Sequence, residues 1–173
     1  MRRWLVRLLV ERVHRALGSG NPEPALRMFE TNARLCFAGT HSWAVDTTDV
    51  AARRSWFERF AALRPDLRCS DVLVGGPPWR MSVCVVFDDA LHSPSGDVIY
   101  RNHGGQYLQL CWGRVLGDEI NLDTQPVAGY DAYTAQSGTQ QSPPYGHRRW
   151  SRLSSCRSPM VGRNRHLGGI VDT

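Results

Sequence analysis

Residues 79–124 hold three strand-like runs separated by turn signals, and they narrow the possible folds more than any other part of the chain. The first run, 81–87, is rich in Val and is broken by Ser93, Pro94, Ser95 and Gly96. The second spans 98–112 and carries Gly104 and Gly105 in its middle. A turn is expected over 113–118, followed by a last run over 119–124. β-Branched and aromatic residues bounded by Gly, Pro, Ser and Asp clusters read as antiparallel strands. A Gly pair inside a strand predicts a bulge or sharp bend. The sheet is therefore expected to curve and to have a hollow face.

The segments before this stretch read as helices and short strands that cover the hollow. Residues 4–17 form an amphipathic pattern, with Leu5, Leu9, Val13 and Ala16 as the apolar stripe and Arg7, Glu11, Arg12 and Arg15 opposite. His14 reads as a solvated flank residue of that helix. Gly18, Ser19 and Gly20 end it. Asn21 and Pro22 start a second, shorter helix that runs to about residue 30. A strand is expected over 34–40, and 41–46 is either a loop or the second strand of a hairpin. Thr47, Thr48 and Asp49 cap a third helix over 50–63, which stops before Pro65. Its apolar side carries Trp56, Phe57, Phe60 and Leu63; Arg53, Arg54, Glu58 and Arg59 form its charged side. A strand over 67–74 ends at Gly75, Gly76, Pro77 and Pro78, and 127–133 reads as a short C-terminal helix or arm. The expected fold class is α+β: three N-terminal helices packed on a curved, mostly antiparallel sheet.

Charge divides the chain. The net charge of +5 is supplied by Arg148, Arg149, Arg152, Arg157, Arg163 and Arg165 set against Asp172, so residues 1–136 are close to neutral. This argues against a nucleic-acid-binding fold. Residues 137–173 are rich in Ser, Pro, Gly and Arg, lack periodicity and read as a disordered tail beyond a 1–136 domain. The chain contains no Lys, which excludes a Schiff-base mechanism. Five cysteines, at positions 36, 69, 84, 111 and 156, show no C-x-x-C spacing. A reduced, cytoplasmic protein without a structural zinc is expected. No apolar run is long enough to span a membrane.

The pieces GGPPW at 75–79, DVIYRN at 97–102, WGRV at 112–115 and LDTQ at 122–125 resemble the SnoaL-like branch of the NTF2-like superfamily, over roughly residues 4–133. That group includes polyketide cyclases, ketosteroid isomerases and limonene-epoxide hydrolases. The resemblance implies a cone-shaped domain with one pocket, no cofactor, and a small apolar or polycyclic ligand. The dispersed His, Asp and Glu residues show no metal-ligand motif, and a homodimer is expected through an outer sheet face carrying Tyr107 and Cys111. The reaction would be cofactor-independent acid–base chemistry on a carbonyl compound. A non-catalytic ligand-binding or dimerisation module of the same fold is the alternative, because one fold hosts unrelated chemistries.

The resemblance places Asp123 near the end of the last strand, where a carboxylate in an apolar cavity would act as general acid or base. Its competing role is to cap the turn into Thr124, Gln125 and Pro126. Alternation leaves its direction open: Ile120 and Leu122 share one face, and Glu119, Asn121 and Asp123 the other. His103 is a second proton carrier, or else a surface or interface residue. Tyr100 and Asn102 share the parity of Leu108 and Leu110, and would hold a substrate oxygen if that face is concave. His41 and Trp43 fall where the resembling proteins form the pocket mouth. Trp43 and Trp56 would contact a planar ligand, with core packing the competing role for Trp56. Asp88 and Asp89 are neighbours on a strand, so they point to opposite faces.

Overall fold

The computed structural model describes residues 3–136; the predicted tail lies outside the described residues. Ten elements follow in order: α1 (Arg3–Gly18), α2 (Glu23–Leu26), β1 (Phe29–Phe37), β2 (Val45–Thr47), α3 (Val50–Ala62), β3 (Asp66–Gly75), β4 (Met81–His92), β5 (Val98–Cys111), β6 (Arg114–Leu122) and α4 (Thr124–Gln136). The strands form one sheet in the order β2-β1-β6-β5-β4-β3. Every pairing is antiparallel except β1 with β6, which is parallel. The expected α+β architecture is therefore the observed one, with α4 longer than the predicted arm.

β4 shows why this sheet has one core face. Met81, Val83, Val85, Phe87, Asp89 and Leu91 are buried, while the residues between them are half-buried or exposed. A period of two puts alternate side chains on one face, and here that face lies under α1 and α3. In β5 the inward parity is that of Asn102, Leu108 and Leu110, which are buried, while His103 and Tyr107 are exposed. Gly104 has the same inward parity. A Cβ there would stand 2.3 Å from the Asn121 carbonyl oxygen and 2.6 Å from Leu122 Cδ2, so β6 can approach only because position 104 has no side chain.

The structure corrects five sequence expectations. The turn predicted over 113–118 shrinks to Trp112 and Gly113, which join β5 to β6 with positive φ at both positions (51° and 83°). Paired positive φ values match the twist of a two-residue hairpin. The second helix is a single turn, and the first strand begins at Phe29 rather than at 34. The buried stripe of α1 is Val6, Val10, His14 and Leu17, while Leu5 and Leu8 are exposed. Apolar residues occupy both flanks of this helix, and packing against β3 selects one of them. Finally, Arg53 is 3% exposed instead of lying on a charged surface. The β1–β6 ladder slips between Phe29 and Arg34, leaving carbonyls without ladder partners. Arg53 donates to the carbonyls of Ala33 (2.6 Å), Glu30 (3.1 Å) and Thr31 (3.4 Å), and its guanidinium sits over the Phe29 ring.

Candidate functional site

Between the helices and the inner sheet face lies a cavity of about 100 Å³. Its walls are apolar, with Trp56, Phe57 and Phe60 of α3 on one side and Val83, Phe87 and Leu108 of the sheet on the other. Trp56 and Phe60 are stacked with ring centroids 5.3 Å apart. Four polar side chains open into this hollow: His14, Asp89, Gln106 and Asp118.

Asp118 shares the inward parity of Ile120 and Leu122, and a bulge lies just before it. In the β5–β6 ladder Gln109 pairs with Gly117 and Leu110 with Val115, so Leu116 is the extra residue. The bulge shifts the alternation, and Val115 and Asp118 both point inward although three residues apart. Asp118 then lies beside Leu35 of β1 and Leu108 of β5 in the pairing, and is 3% exposed. Gln106 Nε2 donates to both carboxylate oxygens at 2.8 Å. Burial raises the Asp118 carboxyl to about 7, and the Gln106 hydrogen bond opposes part of that rise. Among the described residues no cation pairs with it, so near neutrality this group is divided between acid and base forms.

Asp89, the inward member of the Asp88–Asp89 pair, is also 3% exposed. Burial raises it to about 6, opposed by a hydrogen bond from Tyr100. Tyr100 accepts from Asn102 Nδ2 at 3.0 Å. The same amide nitrogen donates to the Asp123 backbone carbonyl at 2.7 Å, and Asn102 Oδ1 accepts the His103 N–H. Asn102 thus has both amide protons engaged and orients Tyr100 toward Asp89. Burial pushes the Tyr100 hydroxyl well above its ordinary range, and the Asp89 charge adds to this. His14, 8% exposed, stands edge-on to Phe87 with ring centroids 5.7 Å apart. Burial lowers its pKa to about 4, so it is neutral at physiological pH.

Of the residues singled out from sequence, Trp56 lines the cavity. Asp123 is exposed, and its Oδ1 accepts the Gln125 N–H (2.9 Å) at the start of α4, while its carbonyl anchors Asn102. His103 is on the outer face and hydrogen-bonds Asp88 at 2.8 Å, which lowers the Asp88 pKa. Trp43 is buried edge-on to Trp56 and Phe60, with the Arg59 guanidinium over its ring, and its carbonyl accepts the Trp56 indole N–H. His41 is half-buried against Phe37, with Nε2 3.1 Å from the Ala38 carbonyl, and burial lowers its pKa. Tyr100 and Asn102 sit behind Asp89 rather than on the cavity wall. Sequence reasoning missed Asp118, Asp89 and His14. Alternation counted back from Leu122 through Ile120 reaches Asp118, and counted on from Phe87 reaches Asp89. Asp89 was lost because the run 81–87 ends too early, and Asp118 because the run 119–124 begins too late.

Among the described residues, no three His, Cys, Asp or Glu side chains come together to hold a metal, and no helix is long and apolar enough to cross a membrane.

Comparison with known proteins places this geometry in a fold. No family model matches the chain, and no curated protein matches it. Solved structures do. The epoxide hydrolase/cyclase-like enzyme SalBIII, which acts in pyran ring formation in the polyether salinomycin, aligns with a TM-score of 0.56 and 15% identity, covering 69% of this chain and 92% of its own. A protein of unknown function from Mycobacterium tuberculosis aligns with a TM-score of 0.56 and 15% identity, covering 76% and 87%. An NTF2-like protein from Burkholderia xenovorans LB400 aligns with a TM-score of 0.54 and 15% identity, covering 74% and 96%. The chain has the NTF2-like fold, in agreement with the resemblance read from its sequence. At these identities the likeness speaks for the fold alone.

Proposed function

We propose that this chain is a small-molecule pocket protein of the SnoaL-like type, and that Asp118 is the general acid/base of cofactor-independent chemistry on a small apolar carbonyl compound. The observation that carries this reading is a buried carboxyl, poised at about 7, in an otherwise apolar hollow. As carboxylate, Asp118 takes a proton from the carbon next to the substrate carbonyl, giving an enolate. As carboxylic acid, it returns a proton to the same or a different carbon. Gln106 holds the carboxylate in place. The Asp89–Tyr100–Asn102 chain, tied to the Asp123 backbone, supports the opposite wall, and His103, His41 and Trp43 brace elements around it. A cavity of about 100 Å³ suits a single small ring; a polycyclic ligand requires α1 to move outward.

The test is exchange of the α-protons of cyclopentanone in D₂O, followed by proton NMR. The protein is expected to speed exchange above the buffer rate, and Asp118→Asn to cut that acceleration by about a hundredfold to ten-thousandfold. Exchange at the buffer rate for the native protein would count against an acid/base role on ketones. The second reading, a binding or dimerisation module, is favoured by the stacked Trp56 and Phe60 rings on the cavity wall. Equal exchange by native protein and Asp118→Asn, with ligand bound by both, would select it.

We also propose a homodimer through the outer sheet face. Leu73, Cys84 and Tyr107 form a lateral row across β3, β4 and β5, and Leu73 and Tyr107 are exposed there. Sedimentation as a monomer at micromolar concentration would overturn that.

A further inference from the structure

Two polar atoms facing the cavity have no hydrogen-bond partner among the described residues: Asp89 Oδ1 and His14 Nδ1. Both side chains are more than nine-tenths buried. A buried polar atom without a partner carries the full cost of leaving water, so such atoms are normally matched by something. Both side chains line the same cavity. His14 stands against Phe87, and Asp89 is the next inward side chain along β4, about 7 Å further by strand rise. His14 also lies where the cavity adjoins an open groove. An open polar groove between α1 and the start of β3 is lined by His14 and Leu67, which line the cavity as well.

The chemistry of the pair restricts what can match it. Asp89, raised to about 6, is ionised at pH 8, and an ionised carboxylate only accepts hydrogen bonds. His14 is neutral there, and its Nδ1–H tautomer donates one. A group that satisfies both atoms must donate and accept at once. A hydroxyl does so: its O–H donates to Asp89 Oδ1 and its oxygen accepts from His14 Nδ1–H. A carbonyl or ether oxygen accepts from His14 but confronts the carboxylate with a second acceptor.

Resting on the pocket reading above, we propose that the cavity recognises its ligand through a hydroxyl group held between His14 and Asp89, so that the substrate class is hydroxyl-bearing. Asp89 and His14 are specificity-determining residues on the cavity wall, and Asp118 lies at another position on it. Tyr100, held by Asn102, fixes the Asp89 carboxylate so that Oδ1 is left for the ligand.

The test compares cyclopentanol with cyclopentanone, two rings of nearly equal size, by NMR titration of the full chain at pH 8. The native protein is expected to bind the alcohol about tenfold or more tightly than the ketone. Asp89→Asn should remove that preference, because an amide can donate to a carbonyl as well as accept from a hydroxyl. Asp123→Ala, at an exposed side chain away from the cavity wall, should leave the preference in place. Nitrogen-15 signals of His14 should shift with the alcohol and not with the ketone. Equal affinity for both compounds in the native protein, or a preference that survives Asp89→Asn, overturns the assignment while leaving the pocket reading intact. Failure of both compounds to bind at millimolar concentration overturns the pocket reading, and this inference with it.

Discussion

Replacing Asp118 by Asn keeps the side chain's shape and removes its charge, and the consequence for stability depends on pH in a way the structure fixes. An Asp carboxyl titrates near 3.8 and that of Asp118 near 7 in the folded chain. The folded carboxyl holds its proton more tightly than the unfolded one. Stability is therefore fully present below about pH 3.8 and is lost as pH rises through about 7. The total loss is about 4 kcal/mol, of which about 3 kcal/mol falls between pH 5 and pH 8. Asp118→Asn has no such dependence. Asp89, raised in the same direction, and His14, lowered by burial, titrate in both proteins and cancel in the comparison. Thermal melts of native protein and Asp118→Asn across this range should show curves that diverge with rising pH. The variant should gain on the order of 10 °C at pH 8 relative to its difference at pH 5. The variant's gain in stability would accompany its loss of proton transfer, a trade common at functional sites. Parallel melting curves would refute the argument, because they would mean that Asp118 titrates as an ordinary surface carboxyl.

Gly104→Ala should destabilise the fold by about 1–3 kcal/mol in denaturant titration, since its Cβ meets the Asn121 carbonyl at 2.3 Å. Arg53→Met should cost about 2–4 kcal/mol by the same measurement, because it strips donors from the Ala33, Glu30 and Thr31 carbonyls at the β1 slip. Asp123→Ala should lower stability by about 1 kcal/mol through loss of the bond to the Gln125 N–H, and should leave binding of cyclopentanol unchanged. Ending the chain at Gln136 should leave the melting temperature within a few degrees of the full chain, as expected if residues 1–136 form the whole domain.

Strand periodicity made the curved sheet legible, and capping chemistry did the same for α3, whose Asp49 accepts the Ala52 N–H as the sequence suggested. The shared parity of Tyr100, Asn102, Leu108 and Leu110 could also be read, though not that this face is the inner one. What could not be read were the places where register slips. Val115 faces inward together with Asp118 because Leu116 bulges, and no local signal in the run RVLGDE announces that bulge. Arg53 is buried because β1 loses its pairing across four residues, which depends on a strand more than eighty positions away. His14 was misplaced because α1 is apolar on two flanks, and periodicity alone does not select between them. Asp123 attracted attention through its position at the end of a strand, where turn-capping and catalytic carboxylates look alike in sequence.

The proposed acid–base chemistry depends most directly on the protonation of one buried carboxyl. Carbon-13 NMR of the Asp side-chain carboxyls, with Asp118→Asn used to assign the signal, measures it directly. A titration midpoint near 7 for Asp118 is predicted. A midpoint near the ordinary 3.8 would contradict the claim that this cavity holds an acid/base group poised for neutral pH.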